Sequence, residues 1–110
     1  VGAEEKKVED YLNDEVVKLE GFTRKFAYIG RRGGADRIVF LWGTIILVEV
    51  KAVRGTESVL QTRERRRIRK TGARAHVVYG KEGVDALLND LKIILQGDSY
   101  DDLHASSTQL

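Results

Sequence analysis

The 110-residue chain contains no cysteine, no proline and no methionine. Without cysteine there are no disulfides and no thiolate ligands, which excludes a disulfide-stapled secreted scaffold and a cysteine-based metal site. Long apolar runs are missing too: nothing approaches the roughly 18 consecutive apolar residues of a membrane-spanning helix. No basic start leads into an apolar stretch with a small-residue cleavage site, so no secretion signal is read. A reducing, cytoplasmic setting is expected, that of the host if a phage encodes the chain. Methionine is missing even at position 1, so Val1-Gly2-Ala3 is read as a trimmed or vector-derived start without functional weight. The formal net charge of +2 is too small to mark a nucleic-acid binder by itself.

What charge asymmetry there is lies in particular places. Six basic residues and one acid fall between Arg63 and Lys70, while the end of the chain from Gly97 carries Asp98, Asp101 and Asp102 with no Lys or Arg. The length suits one domain with a single core, since such domains commonly run to about 100 to 150 residues. That domain is expected over residues 1–96, with 97–110 a flexible tail.

Periodicity gives the order of elements. Val8, Leu12, Val16 and Leu19 recur at helical spacing between Glu4 and Glu20, with Gly21 as the stop. A strand is expected around Arg24 to Ile29, followed by a turn over Gly30 to Gly34. Ile38 to Trp42 and Thr44 to Val50 are apolar and β-branched, and the single Gly43 between them predicts a hairpin. Its second arm should be a central strand buried on both faces, and Trp42 should pack in the hairpin. A second helix is predicted from Glu57 to Thr71, with Leu60 and Ile68 inward; a strand from Ala75 to Tyr79 follows. A third helix carries the stripe Val84, Leu87, Leu88, Leu91, Ile94 and Leu95. The resulting order, α-β-β-β-α-β-α, requires a crossover and predicts an α/β fold: a mixed β-sheet flanked by helices.

Chemistry concentrates on the central strand. Glu49 and Lys51 are two residues apart, so strand alternation points both to one face. Burying a carboxylate and an amine there is costly unless each has a partner. Asp36 begins the neighbouring arm and can approach Glu49, giving an oxygen pocket suited to Mg²⁺. A divalent cation between them, with the lysine alongside, is a phosphodiester-hydrolysing arrangement. By spacing alone, a plain Glu49–Lys51 salt bridge with Asp36 as a turn residue explains the pattern about equally well. On the second helix Arg63, Arg66, Arg67 and Lys70 share one face that can follow a phosphate backbone, or simply be solvated. His76 and His104 lack metal-ligand spacing.

These residues resemble the VRR-NUC nucleases, a branch of the PD-(D/E)xK, restriction-endonuclease-like superfamily. The likeness runs from Val8 to Leu91. It rests on Val8-Glu9-Asp10-Tyr11-Leu12, Arg31-Arg32-Gly33-Gly34-Ala35-Asp36-Arg37, Val48-Glu49-Val50-Lys51-Ala52, Gln61, Gly72 and Lys81-Glu82-Gly83-Val84. The resemblance implies a metal-dependent endodeoxyribonuclease using Mg²⁺ or Mn²⁺. Asp36, Glu49 and the Val50 carbonyl would be the ligands, and Lys51 the catalytic lysine. Glu9 would orient the attacking water, with Glu5 the alternative for that acid, and Gln61 would help shape the site. Arg31, Arg32, Arg37, Arg54 and the basic face of the second helix would contact nucleic acid. Standalone members resemble four-way (Holliday) junction resolvases acting as homodimers, so branched DNA is the expected partner. A flap, nicking or non-specific nuclease, or an inactive nucleic-acid-binding module, is the alternative. The sequence departs from the family pattern at Ala35, where proline usually precedes the aspartate, losing some rigidity at that turn.

Overall fold

The computed structural model describes residues 2–27 and 36–97. Helix α1 spans Ala3–Lys18, strand β1 Phe22–Lys25, β2 Arg37–Leu41 and β3 Thr44–Lys51. Helix α2 spans Val59–Lys70, strand β4 Arg74–Tyr79 and helix α3 Gly80–Gln96. The element order is the one expected. The turn over Gly30 to Gly34, the end of the expected strand at Tyr28 and Ile29, and the tail after Gly97 lie outside the described residues.

Four strands form one sheet in the order β1-β2-β3-β4. The first three are antiparallel, with Lys25 opposite Arg37 and Arg37 opposite Val48, whereas β3 and β4 run parallel, Glu49 beside Val77 and Lys51 beside Tyr79. The parallel step needs a crossover, which α2 supplies. One face of the sheet meets α1 and α3. Val39, Leu41, Ile46, Val48, Val50 and Val78 point there and pack with Val8, Leu12, Val16, Val84, Leu87, Leu88 and Leu91 in a single core. Filling such positions with aliphatic side chains stabilises the fold by roughly 1.5–3 kcal/mol each.

The chain leaves α1 differently from the way Gly21 suggests. Glu20, at φ 69°, is the residue in the left-handed region, and Gly21 N–H donates to Val16 C=O while Glu20 N–H donates to Val17 C=O. That pair of bonds is a Schellman ending one residue out of phase with the glycine. Gly21 is needed for another reason: a Cβ there would stand 2.4 Å from the Phe40 carbonyl oxygen and 2.8 Å from Leu41 Cδ1. Gly21→Ala should therefore cost about 2 to 3 kcal/mol through overpacking, read as a lower urea midpoint. Gly2→Ala, with open space around the new methyl, should cost less, about 0.5 to 1 kcal/mol for the poorer N-cap of α1.

The hairpin turn has two residues rather than one, Trp42 at φ 52° and Gly43 at φ 76°. Two positive φ values in sequence suit the right-handed twist of the flanking strands. The Trp42 side chain is partly buried against the core, as expected.

Three burial expectations are corrected. β3 is not buried on both faces along its whole length, since Ile45 is exposed, and only the Val48–Val50 stretch is covered from both sides. Leu60 is exposed and no residue of α2 is fully buried, although the helix packs against β4. Ile94 is also exposed, whereas Leu95, the next residue, still packs against the core.

Candidate active site

Alternation along β3 sends Val48 and Val50 into the core and Glu49 to the opposite face, under α2. Lys51 follows on that face. Glu49 is 2% exposed, and Lys51 Nζ lies 3.8 Å from Glu49 Oε2, at the limit of an ion pair rather than in a hydrogen bond. Glu49 Oε2 is buried without any hydrogen-bond partner. An ionised carboxylate in that state would cost several kcal/mol more than a satisfied one, so a plain strand salt bridge does not account for it.

Asp36 stands at the entry to β2, one residue before the Arg37–Val48 pair. Its Oδ2 accepts a hydrogen bond from Val50 N–H at 2.8 Å, and its own N–H donates to Val48 C=O at 3.2 Å. The carboxylate is thereby clamped to the backbone beside Glu49, close enough to help raise the Glu49 carboxyl. The β2–β3 pairing thus brings Asp36 to the Glu49-Val50-Lys51 run, from which it is thirteen residues distant in sequence.

Glu49 has a further neighbour that sequence reasoning missed. Glu57, in the loop before α2, approaches it carboxyl to carboxyl. Burial, and then the Glu57 charge, push the Glu49 carboxyl up to about 8, with Lys51 pulling it the other way. Glu57 is held down to about 2, chiefly by its hydrogen bond from Arg65 and then by Thr62. Arg65 grips it with two bonds, Nη2 to Oε1 at 2.8 Å and Nε to Oε2 at 3.0 Å, and Thr62 Oγ1 donates to Oε1 at 2.7 Å. The two carboxyls thus share one proton near neutral pH, with the charge resting on Glu57 beside its arginine.

The remaining expected residues fall in different places. Glu9 is buried at 7% exposure whereas Glu5 is only partly covered, so of the two helix-one acids Glu9 is the one facing in. It meets Arg37, whose Nε lies 3.6 Å from Glu9 Oε2, and it touches the site through the residue that follows Asp36. Arg37 itself points inward, its side chain 14% exposed and its Nε without a hydrogen bond. Gln61 forms a capping box with Ser58: Gln61 N–H donates to Ser58 Oγ, and Ser58 N–H donates to Gln61 Oε1. Its side-chain oxygen is therefore committed to starting α2. Arg54 is exposed in the loop after β3. Arg31 and Arg32 lie outside the described residues, as does His104. His76 is partly buried, and burial lowers its pKa.

Arg63, Arg66, Arg67 and Lys70 line a groove of about 470 Å³ together with Val59, Thr62 and Glu57. Because Arg65 faces the sheet, these four side chains point away from it. Glu57 and Thr62 belong both to the groove and to the network around Glu49, so the basic surface runs up to the buried carboxylates.

Among the described residues no three Asp, Glu, His or Cys side chains form a complete cage. Two carboxylates, a backbone carbonyl and water are nevertheless what Mg²⁺ accepts, as it keeps several waters, and the orphaned Glu49 Oε2 is a buried oxygen in want of such a partner. The residues fit a hard divalent cation.

A mixed sheet between helices, with an aspartate, a glutamate and a lysine meeting on its central strands, defines a restriction-endonuclease-like α/β domain. No family sequence model matches the chain. It is 40% identical over 79 residues to a protein provisionally named nuclease p44 from Acyrthosiphon pisum secondary endosymbiont phage 1, covering 71% of this chain and 85% of that one. A solved structure of a VRR_NUC domain superposes with a TM-score of 0.73 at 33% identity, covering 80% of this chain and 97% of the other. The chain belongs to the VRR-NUC family of nuclease domains.

Proposed function

We propose that this domain is a divalent-cation-dependent endonuclease that hydrolyses phosphodiester bonds in DNA, acting on four-way junctions as a homodimer. The observation that carries the reading is the buried, unpartnered Glu49 Oε2, with Asp36 clamped alongside and Lys51 Nζ 3.8 Å away. Residues 1–96 form the single catalytic domain. Asp36, Glu49 and the Val50 carbonyl would hold Mg²⁺ or Mn²⁺, which when bound supplies Lewis acidity toward phosphate and water. Lys51 would hold the attacking water and, in its neutral amine form, accept the proton that the water loses on attack, since its nitrogen and Glu49 address the same point. Asp36 keeps its geometry through Val50 N–H rather than through a proline-stiffened turn. Glu9, with Arg37, fixes the start of β2 from the other face. Gln61 shapes the site indirectly, by fixing where α2 begins after Glu57.

The basic groove on α2, together with Arg31, Arg32 and Arg54, would carry the sugar-phosphate backbone. Replacing Arg63, Arg66, Arg67 and Lys70 together by alanine should weaken binding to all DNA sequences alike. It should also flatten the slope of log affinity against log salt by about 3.6, the value for four lost phosphate contacts on duplex DNA. An unchanged slope in filter binding would place the backbone elsewhere. A homodimer would set two cutting sites in opposed orientation, as symmetric junction cleavage needs. Among the described residues no helix is long and apolar enough to cross a membrane.

The test is cleavage of labelled four-way junction, flap and linear duplex DNA with Mg²⁺, Mn²⁺ or chelator, alongside Glu49→Ala and Lys51→Ala. Paired symmetric nicks confined to the junction, lost with chelator and in both variants, are expected. Cutting of flap or duplex would make it a broader nuclease. No cleavage by folded, DNA-binding wild type would leave a binding module.

A further inference from the structure

The Glu57–Arg65–Thr62 cluster is larger than anchoring a short loop requires. The Glu57 side chain is 7% exposed and that of Arg65 19%, and both Glu57 oxygens are taken up by the guanidinium. Thr62 adds a third bond and ties the same carboxylate to the first turn of α2, since its hydroxyl also meets Ser58 C=O at 3.1 Å. Glu57 lies carboxyl to carboxyl with Glu49, and the Arg65 guanidinium feels both charges. Glu49 Oε2 has no hydrogen bond, and Lys51 stands 3.8 Å from it.

This arrangement contains a competitor. An arginine fork seeks a planar carboxylate with two free oxygens. Arg65 faces the sheet from α2, and the carboxylates within its field are Glu57 and, behind it, Glu49. Were Glu57 absent, the guanidinium would be left partly buried without a counter-charge, and Glu49 would be its nearest relief. A guanidinium on Glu49 would fill the place a divalent cation needs and repel that cation electrostatically.

We propose that Glu57 is a positioning residue that holds Arg65 off Glu49, keeping the Glu49 carboxylate available to a divalent cation. The proposal rests on the reading of Asp36 and Glu49 as cation ligands. Glu57 does not ligate the cation, because both its oxygens are engaged by Arg65 and Thr62. In this scheme α2 has two electrostatic faces with separate duties. Arg63, Arg66, Arg67 and Lys70 look outward, while Arg65 looks inward and must be neutralised where it stands.

The experiment is calorimetric titration of Mn²⁺ into the DNA-free full chain, compared across wild type, Glu57→Gln, Arg65→Met and the double variant, with circular dichroism to verify folding. Glu57→Gln should bind Mn²⁺ about tenfold more weakly or worse, as the freed guanidinium turns to Glu49. The double variant should return to within about threefold of wild type, because the competitor is gone. Arg65→Met alone should bind at least as tightly as wild type. A merely structural cluster predicts the opposite pattern: removing Arg65 would add to the damage rather than repair it. Equal affinity in Glu57→Gln and wild type, or a double variant no better than Glu57→Gln, overturns the proposal. If Glu57→Gln does not fold, Arg65→Met decides, since weaker binding there also overturns it. Wild type that fails to bind Mn²⁺ at all removes the ligand reading and this inference together, whereas failure in the variants alone leaves the ligand reading standing.

Discussion

Lys51→Ala should leave a folded protein that binds DNA normally and cleaves it about 10²- to 10⁴-fold more slowly, the range for losing a positioned proton-transfer group. The side chain is 14% exposed, and its Nζ stands 3.8 Å from Glu49 Oε2. Truncation therefore opens a small polar space at the rim rather than a hole in the core, and the fold should survive. Affinity for DNA measured with Ca²⁺ should change little, because the basic groove lies on α2. The whole loss then falls on the single-turnover rate at saturating protein. Lys51→Arg separates two roles for the amine. Arginine keeps the positive charge but does not give up its proton in a protein, so recovery to within about tenfold would reduce Lys51 to charge stabilisation. Cleavage by Lys51→Ala within threefold of wild type would remove the lysine from the mechanism.

The fold was legible because its strongest signals are periodic. A stripe such as Val84, Leu87, Leu88 and Leu91 has one explanation, and the structure buries all four. Ile94 extends the same stripe in sequence but is exposed, since periodicity says which face a residue takes and not whether a partner is still opposite it. Leu60 failed for a similar reason. A twelve-residue helix with six basic residues and no buried position is held by its cap and by Arg65 rather than by an apolar face. Its start was nevertheless written in the chain, as Ser58 followed three residues later by Gln61. Gly21 reads as the helix stop because glycine usually takes the left-handed position, yet here Glu20 takes it, and what excludes a side chain at Gly21 is the carbonyl of Phe40, nineteen residues further along the chain. No local rule contains that contact.

The site divides along the same line. Glu49 and Lys51 share a face by alternation and the hairpin register brings Asp36 to them, so, with the family resemblance to decide against a plain salt bridge, this trio could be read from the sequence. Glu57 could not. It sits in a connection whose path depends on where α2 docks, and nothing in Thr56-Glu57-Ser58 distinguishes it from an ordinary exposed acid. Arg65, in a run of basic residues, looks like its neighbours until the helix is set against the sheet and one arginine proves to face inward. Glu9 and Arg37 show the reverse: each was picked out for contact with water or DNA, and each is covered, meeting the other across the layer between α1 and β2. A charged pair of that kind costs more to break singly than to keep, because removing one partner leaves the other charge buried and uncompensated.

Without a divalent cation, the protein should lose stability as the pH rises from 5 to 8, and Glu49→Gln should abolish most of that loss. The sign follows from Glu49. Its carboxyl ionises near 4.5 in the unfolded chain and near 8 in the folded one, mainly because burial penalises the charge. Between those values the native state holds a proton that the unfolded state has released, so unfolding is favoured progressively as pH rises. Below 4.5 both states are protonated and stability is at its highest from this group; above 8 both are ionised and the loss is complete. Glu57 acts in another window. Held near 2, it stabilises the fold above its ordinary value of 4.5, and that contribution is lost only as pH falls toward 2. The ceiling for Glu49 is about 5 kcal/mol. Sharing its proton with Glu57 and relaxation of the surrounding water bring the expected loss to about 2 to 4 kcal/mol. Urea unfolding in chelator at pH 5, 6.5 and 8 reads it directly, and parallel curves for wild type and Glu49→Gln would show that Glu49 does not carry the linkage. Mn²⁺ should reverse the trend in the wild type, because binding requires the ionised carboxylate and so strengthens as the pH approaches 8. In Glu49→Gln the cation should add little at any pH.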